Sequence, residues 1–283
     1  MLKTSNLLKY LLALCAFSYA VMCAFTLQAQ RSQQPQRSSG PRVIKTEKPD
    51  LGKIRSETLN PKSPFYFPKL KKKYEKRDTV MTPEEFRYFY LGYMFQEDYD
   101  PYRRTQYDDK TDELKKKTKH TKEEVDTLIK YAELSLEDNP FDLRHMSFLV
   151  HALREKEKSY RAKIWEFRLE NLLAAIKSTG TGEDVDNAWY VITPMHEYDM
   201  VQLLGYEATD VDFNTYPGYD ILMVSPEEET ARRLKNRVAD KFFFNVMIPT
   251  EQFELKHPEG LEEDEEEATE GEGAGDPDDL PAQ

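Results

Sequence analysis

The sequence predicts an α+β fold, with helices first and a small, mostly antiparallel sheet after them, interrupted by one helix. Three observations predict it. Between residues 82 and 178, apolar side chains recur every three or four positions behind recognisable helix starts. Between 189 and 248, the pattern changes to short runs of aromatic and β-branched residues bounded by proline and glycine. Helices gathered in one half and strands in the other indicate segregated packing rather than alternating βα units.

Each element has its own warrant. Thr82…Glu85, Thr121…Glu124 and Ser225…Glu228 carry the capping-box spacing, in which a hydroxyl and a carboxylate three residues apart satisfy each other's backbone donors. Behind the first, Pro83 opens the helix and Phe86, Phe89, Tyr90, Tyr93 and Met94 share a face. Behind the second, Val125, Leu128, Ile129, Ala132 and Leu136 do the same, ending at Asp138-Asn139-Pro140. Asp142 caps a helix burying Leu143, Met146, Leu149, Val150 and Leu153, and a further helix runs from near Tyr160 to Lys177 and stops at Gly180. Strands are predicted at 189–192, 219–224 and 242–248, with a fourth at Tyr198 to Leu204, and the interrupting helix spans Pro226 to about Ala239. That helix supplies the only crossover for a parallel pair. The pair 121–138 and 142–158 resembles a tetratricopeptide-type hairpin, although a solenoid takes about three repeats to bury its core.

The ends separate from this body by composition. Residues 1–29 place Lys3 and Lys9 before an uncharged apolar stretch from Tyr10 to Leu27 and then Gln28-Ala29-Gln30, the order of an export signal peptide cut after Ala29. An uncleaved leader anchoring the chain in a membrane is the alternative, because 18 apolar residues suffice to span a bilayer. Residues 30–79 read as a basic flexible linker interrupted by Pro35, Pro41, Pro49, Pro61, Pro64 and Pro68. Residues 80–250 form the single folded domain, and 251–283 an acidic disordered tail whose last 25 residues hold 12 acidic and no basic side chains. The formal charge of −12 therefore conceals a basic arm, a mildly acidic body and an acidic end.

This composition excludes several chemistries. Both cysteines, Cys15 and Cys23, lie in the leader, so the exported chain would have no disulfide, cysteine-ligated zinc or thiol nucleophile. His196-Glu197-Tyr198-Asp199-Met200 starts like a zinc-protease helix but has Met where the second histidine belongs. Gly180-Thr181-Gly182 follows a helix rather than a strand and lacks the third small residue of a dinucleotide loop. No cofactor, metal or catalytic residue is assigned, and no nucleic-acid role follows from the Lys69–Arg77 run in an exported chain. That run is a solvated face or an arm in weak contact with anionic lipid or polysaccharide.

The candidate binding residues are Tyr99, Asp100, Tyr102, Gly180, Gly182, His196 and Glu197, all at the ends of predicted elements where loops gather. The plainer reading makes Asp100 a turn cap, the glycines a helix stop and His196-Glu197 an exposed tip between strands. Tyr90-Leu91-Gly92-Tyr93, Tyr99-Asp100-Pro101-Tyr102, Gly180-Thr181-Gly182, His196-Glu197-Tyr198 and Phe243-Phe244-Asn245-Val246 together make residues 82–250 resemble an uncharacterised domain-of-unknown-function family of exported proteins from Bacteroides-type bacteria. That resemblance implies an exported protein and carries no activity. The expectation is a non-enzymatic, envelope-side binding or interaction module, periplasmic or secreted, for a protein or glycan partner. The alternative is a hydrolase or other acid/base enzyme using His196 with a neighbouring carboxylate.

Overall fold

Thr82 and Thr121 do what their spacing predicts. Each hydroxyl accepts the N–H of the glutamate three residues on, and that glutamate's carboxylate accepts the threonine N–H. Asp142 caps the next helix through the N–H of His145 at 2.8 Å. The computed structural model describes residues 45–76, 81–107, 110, 111, 114, 117 and 119–256. The predicted leader and the acidic run from 257 onward lie outside the described residues.

Nine helices and four strands are formed among the described residues. In chain order they are α1 (Leu51–Leu59), α2 (Phe67–Glu75), α3 (Pro83–Gly92), a short 3-10 turn (Tyr93–Phe95), α4 (Lys122–Asp138), α5 (Leu143–Glu155), α6 (Ser159–Lys177), β1 (Trp189–Tyr190), α7 (Met195–Leu203), β2 (Tyr206–Tyr216), β3 (Tyr219–Pro226), α8 (Glu228–Leu234), β4 (Lys241–Asn245) and α9 (Met247–Lys256). The α+β fold class holds. Helix α3 is the centre of the helical half, with Phe86, Phe89, Tyr90 and Leu91 wholly buried, and it packs against α6 on one side and α1 and α2 on the other.

The segment read as a flexible linker is partly core. Asp50 caps α1, and the prolines fall at boundaries: Pro49 just before that cap, Pro61 and Pro64 in the following turn, Pro68 in the first turn of α2. Proline at a helix start removes no bond the helix needs. The basic run is therefore an amphipathic helix whose Phe67, Leu70 and Tyr74 are buried, while Lys73 pairs with Glu85 of α3 at 2.8 Å. Phe67 and Tyr74 stack against Phe89 at 5.3 and 5.0 Å, and Phe89 meets Phe141 at 4.8 Å. Ahead of α1, the Glu47 N–H donates to the Ser178 carbonyl at 2.9 Å. Arg87 joins the same place, donating to the Ser178 carbonyl and hydroxyl and to the Glu47 carbonyl. A cation at the last turn of α6 also complements the helix dipole.

The sheet runs β1-β4-β3-β2. It is mostly antiparallel, as predicted, but the parallel pair is β1 with β4 and not the two strands that α8 separates. Three other expectations are corrected. Tyr198 to Leu204 is not a strand but most of α7, because Thr193-Pro194 starts a helix: the Thr193 hydroxyl accepts the Met195 N–H at 3.3 Å. The fourth strand is β2, an edge strand with polar residues on both faces. Ser225 makes no capping box, since β3 continues through Pro226, and α8 with its 3-10 extension ends at Arg237. The last run stops at Asn245, whose side chain accepts the Met247 N–H and turns the chain into α9.

Candidate functional site

Helix α7 is short, yet His196, Glu197 and Asp199 are all buried on it, each against a different neighbour. His196 faces α3. Its Nδ1 lies 2.7 Å from the Tyr90 hydroxyl and its Nε2 2.9 Å from the Phe141 carbonyl. A carbonyl only accepts, so Nε2 carries the hydrogen and Nδ1 accepts from Tyr90. The Tyr90 oxygen in turn accepts the Ile192 N–H at 3.2 Å. Both ring nitrogens are thus occupied in the neutral ring, and burial pushes its pKa down to about 4. This leaves no free nitrogen to exchange a proton with a substrate.

Tyr99 is also structural in geometry. It is buried, and its hydroxyl donates to the Ile192 carbonyl at 2.6 Å, so Tyr90 and Tyr99 hold both polar groups of the residue that leads into α7. Asp100 accepts the Tyr102 N–H at 2.9 Å and sets the turn Asp100-Pro101-Tyr102-Arg103. Arg103 pins that turn to Asp138 at the end of α4, at 2.7 Å. Gly180 and Gly182 lie elsewhere, in a loop folded over Trp189. The Trp189 indole donates to the Gly180 carbonyl at 2.9 Å, and a Cβ on Gly180 would sit 2.1 Å from the Asn187 carbonyl oxygen. Gly182 has φ of +74°, and a Cβ there would stand 2.9 Å from the Trp189 ring.

Two of the seven sequence candidates, Tyr102 and Glu197, come within electrostatic reach of each other, and three further residues, Asp220, Tyr198 and Phe253, join them. Glu197 is 0 % exposed, and no N–H or hydroxyl donor among the described residues meets either carboxyl oxygen. Asp220, the second residue of β3 and only half-buried, lies within carboxyl-to-carboxyl hydrogen-bonding reach of it, a contact that forms when one of the two is protonated. Burial first, and Asp220 second, push the Glu197 carboxyl well above its usual range, and burial raises Asp220 as well. Tyr102 and Tyr198, 49 % and 38 % exposed, both feel the two carboxyls. Phe253 of α9 meets the Tyr102 ring edge-on at 4.8 Å. Asp220 was legible: it shares the inward face of its strand with buried Leu222 and Val224 at alternate positions.

Asp199 faces α5 and pairs with Arg144 at 2.9 Å, and burial still raises its pKa to about 6. A separate cavity of about 230 Å³ lies among α2, α4 and α6, lined by Tyr74, Glu75, Leu136, Glu137, Trp165 and Arg168 among others. Its aromatic faces are already occupied: the Arg168 guanidinium lies 4.2 Å from the Tyr74 ring centre and 4.6 Å from that of Trp165. Among the described residues no group of three or more His, Cys, Asp or Glu side chains is arranged to hold a metal ion, and no helix is long and apolar enough to cross a membrane. Residues 52–251 match the family described as a domain of unknown function, DUF4919. No curated protein and no solved structure matches the chain.

Proposed function

The chain belongs to the DUF4919 family, a domain of unknown function, and within it we propose that this protein is a non-enzymatic, envelope-side binding module whose ligand enters between Tyr102 and Tyr198. What supports it is Glu197, a wholly buried carboxyl that no N–H or hydroxyl donor meets, in contact with half-buried Asp220 and within reach of the exposed rings of Tyr102 and Tyr198. An orphaned buried acid costs about 1 to 3 kcal/mol, and such a cost in a native fold is the mark of a group kept for something other than stability. Exposed aromatic rings beside convergent polar groups are the usual make-up of a recognition site.

Export and a periplasmic or secreted location rest on the leader sequence, with its two lysines, its apolar core and the Ala29-Gln30 junction. The partner is a protein or a glycan. Weak contact of the basic run with anionic lipid or polysaccharide falls to Lys71, Lys72 and Lys76, the exposed cations of α2 and its end, because Lys69 is engaged by the Pro61 carbonyl and Lys73 by Glu85. The acid/base alternative loses its residue, since His196 is closed in on both nitrogens.

The test is a screen of envelope peptides and glycans by ligand-observed NMR, repeated with Tyr102→Ala and Glu197→Gln. Compounds that bind should lose at least tenfold in affinity in both variants, with the melting temperature of Tyr102→Ala within a few degrees of the parent. Binders indifferent to both substitutions would place recognition elsewhere on the protein.

A further inference from the structure

Resting on that reading, we propose that the Glu197–Asp220 site is a receptor for a primary ammonium group and releases one proton when it fills. The groups acting on Glu197 and Asp220 are each other, and Tyr102 and Tyr198 lie within their reach; no described Lys, Arg or His acts on either. On another face α7 meets Arg144, already held by Asp199, and its own His196 is neutral between Tyr90 and Phe141. Two carboxyls placed together without a cation cannot both ionise, so the empty site holds one proton between them. The shared proton joins one oxygen of each carboxyl, and no N–H or hydroxyl donor among the described residues meets the remaining acceptor sites of Glu197.

The ligand that answers this site must bring positive charge and several donors on one compact atom. An alkylammonium brings one charge and three N–H donors. The exposed rings of Tyr102 and Tyr198, within electrostatic reach of both carboxyls, and Phe253 against Tyr102, add faces that attract the same cation. A divalent metal is the poorer fit, because hard cations take six or more oxygen ligands and no three acidic or histidine side chains are gathered here among the described residues. On binding, the protonated carboxyl gives its proton to solvent and the carboxylate so formed pairs with the ammonium; no covalent bond is made or broken in the ligand. The ammonium has two natural sources, a lysine side chain of a protein partner or a free di- or polyamine.

Isothermal titration of the full chain with cadaverine and, separately, with a capped single-lysine peptide tells the sources apart. Each is run at pH 5, 6, 7 and 8 in two buffers of different ionisation heat. The expected result is saturable binding that strengthens up to tenfold per pH unit while the pair is still protonated, with about one proton delivered to the buffer per ligand. Glu197→Gln, confirmed as folded by its thermal transition, should lose at least tenfold in affinity and all proton release; Asp220→Asn should behave alike. Choline, which carries the charge without donors, should bind at least tenfold more weakly. Equal binding of choline, stronger binding of calcium ion, or an unchanged proton release in Glu197→Gln would overturn the ammonium assignment. So would silence toward both amines; if a Tyr102-dependent ligand of another class is then found in the screen, the binding reading survives, and if none is found, it falls too.

Discussion

His196 and Glu197 are adjacent in sequence and opposite in consequence. The imidazole is neutral and fully paired, with its pKa pushed by burial from 6.5 to about 4. A depressed histidine pKa means its contribution to stability is complete above pH 6.5 and is lost as the pH falls through 4. The full displacement corresponds to a loss on the order of 3 kcal/mol. Glu197, Asp199 and Asp220 run the other way: their carboxyls are raised, so their contribution is complete below the ordinary carboxylate range and fades as pH rises, through about 6 for Asp199. Urea unfolding of parent and His196→Gln across pH 7.5 to 4 isolates the first effect. The parent's advantage should shrink by on the order of 3 kcal/mol in acid, whereas parallel profiles would mean that His196 is not held neutral. Glu197→Leu should raise stability at pH 8 by about 1 to 3 kcal/mol, and by less at pH 5 where the acid is protonated, because it removes a buried acid that no N–H or hydroxyl donor meets. A destabilised Glu197→Leu protein would show that the carboxyl is in fact satisfied. The sequence made both residues candidates as members of a loop at the end of a strand, with an exposed tip as the plainer reading, whereas both are buried on α7. The partners of His196, Tyr90 at a separation of 106 residues and Phe141 at 55, leave no local trace.

Side-chain caps made several helices legible, while α6, which has none, was read from its apolar periodicity alone. Thr82, Thr121 and Asp142 announce α3, α4 and α5 because the cap is a short-range bond written in the sequence. Asp50 does the same for α1, yet Pro49, Pro61 and Pro64 around it obscured that signal, and α2 has no side-chain cap at all. Strand β2 gave no apolar alternation because it is an edge. Asp210 and Asp212 lie in it and its register shifts twice, features that discourage pairing with another chain. Glycine positions test the loop geometry directly. Gly182→Ala should cost about 1 to 3 kcal/mol, since it combines a positive φ with a ring 2.9 Å from the new methyl group. Gly52→Ala, in the first turn of α1 with only ordinary contact at 3.5 Å to Asp50, should be neutral or stabilise by up to about 1 kcal/mol. Thermal unfolding of the two proteins side by side checks both; equal effects would mean that the loop over Trp189 is not held as described.

The α+β division was readable because helical and strand periodicities occupy different stretches of chain, whereas the start of the folded body was not, because charge and proline content masked a periodic apolar face. Ile54, Phe67, Leu70 and Tyr74 all precede residue 80, and all are buried against the α3 centre or its neighbours. Full burial of a large apolar side chain is worth about 1.5 to 3 kcal/mol, so these four contribute roughly 6 to 12 kcal/mol. Domains of this size have a net stability of about 5 to 15 kcal/mol. Loss of α1 and α2 would also strip the cover from Phe89 and Tyr93, which stack on Phe67 at 5.3 and 6.0 Å, and would remove the carbonyl of Glu47 from Arg87. A chain beginning at Lys45 should therefore unfold cooperatively, with the melting temperature of the full-length protein. One beginning at Val80 should show exposed apolar surface by dye binding and no sharp thermal transition. Limited proteolysis of the full chain gives the same answer from the other side: the resistant fragment should retain Leu51 to Glu75. Cleavage within α2, leaving a stable remainder that starts near Met81, would return that segment to the role of a spacer.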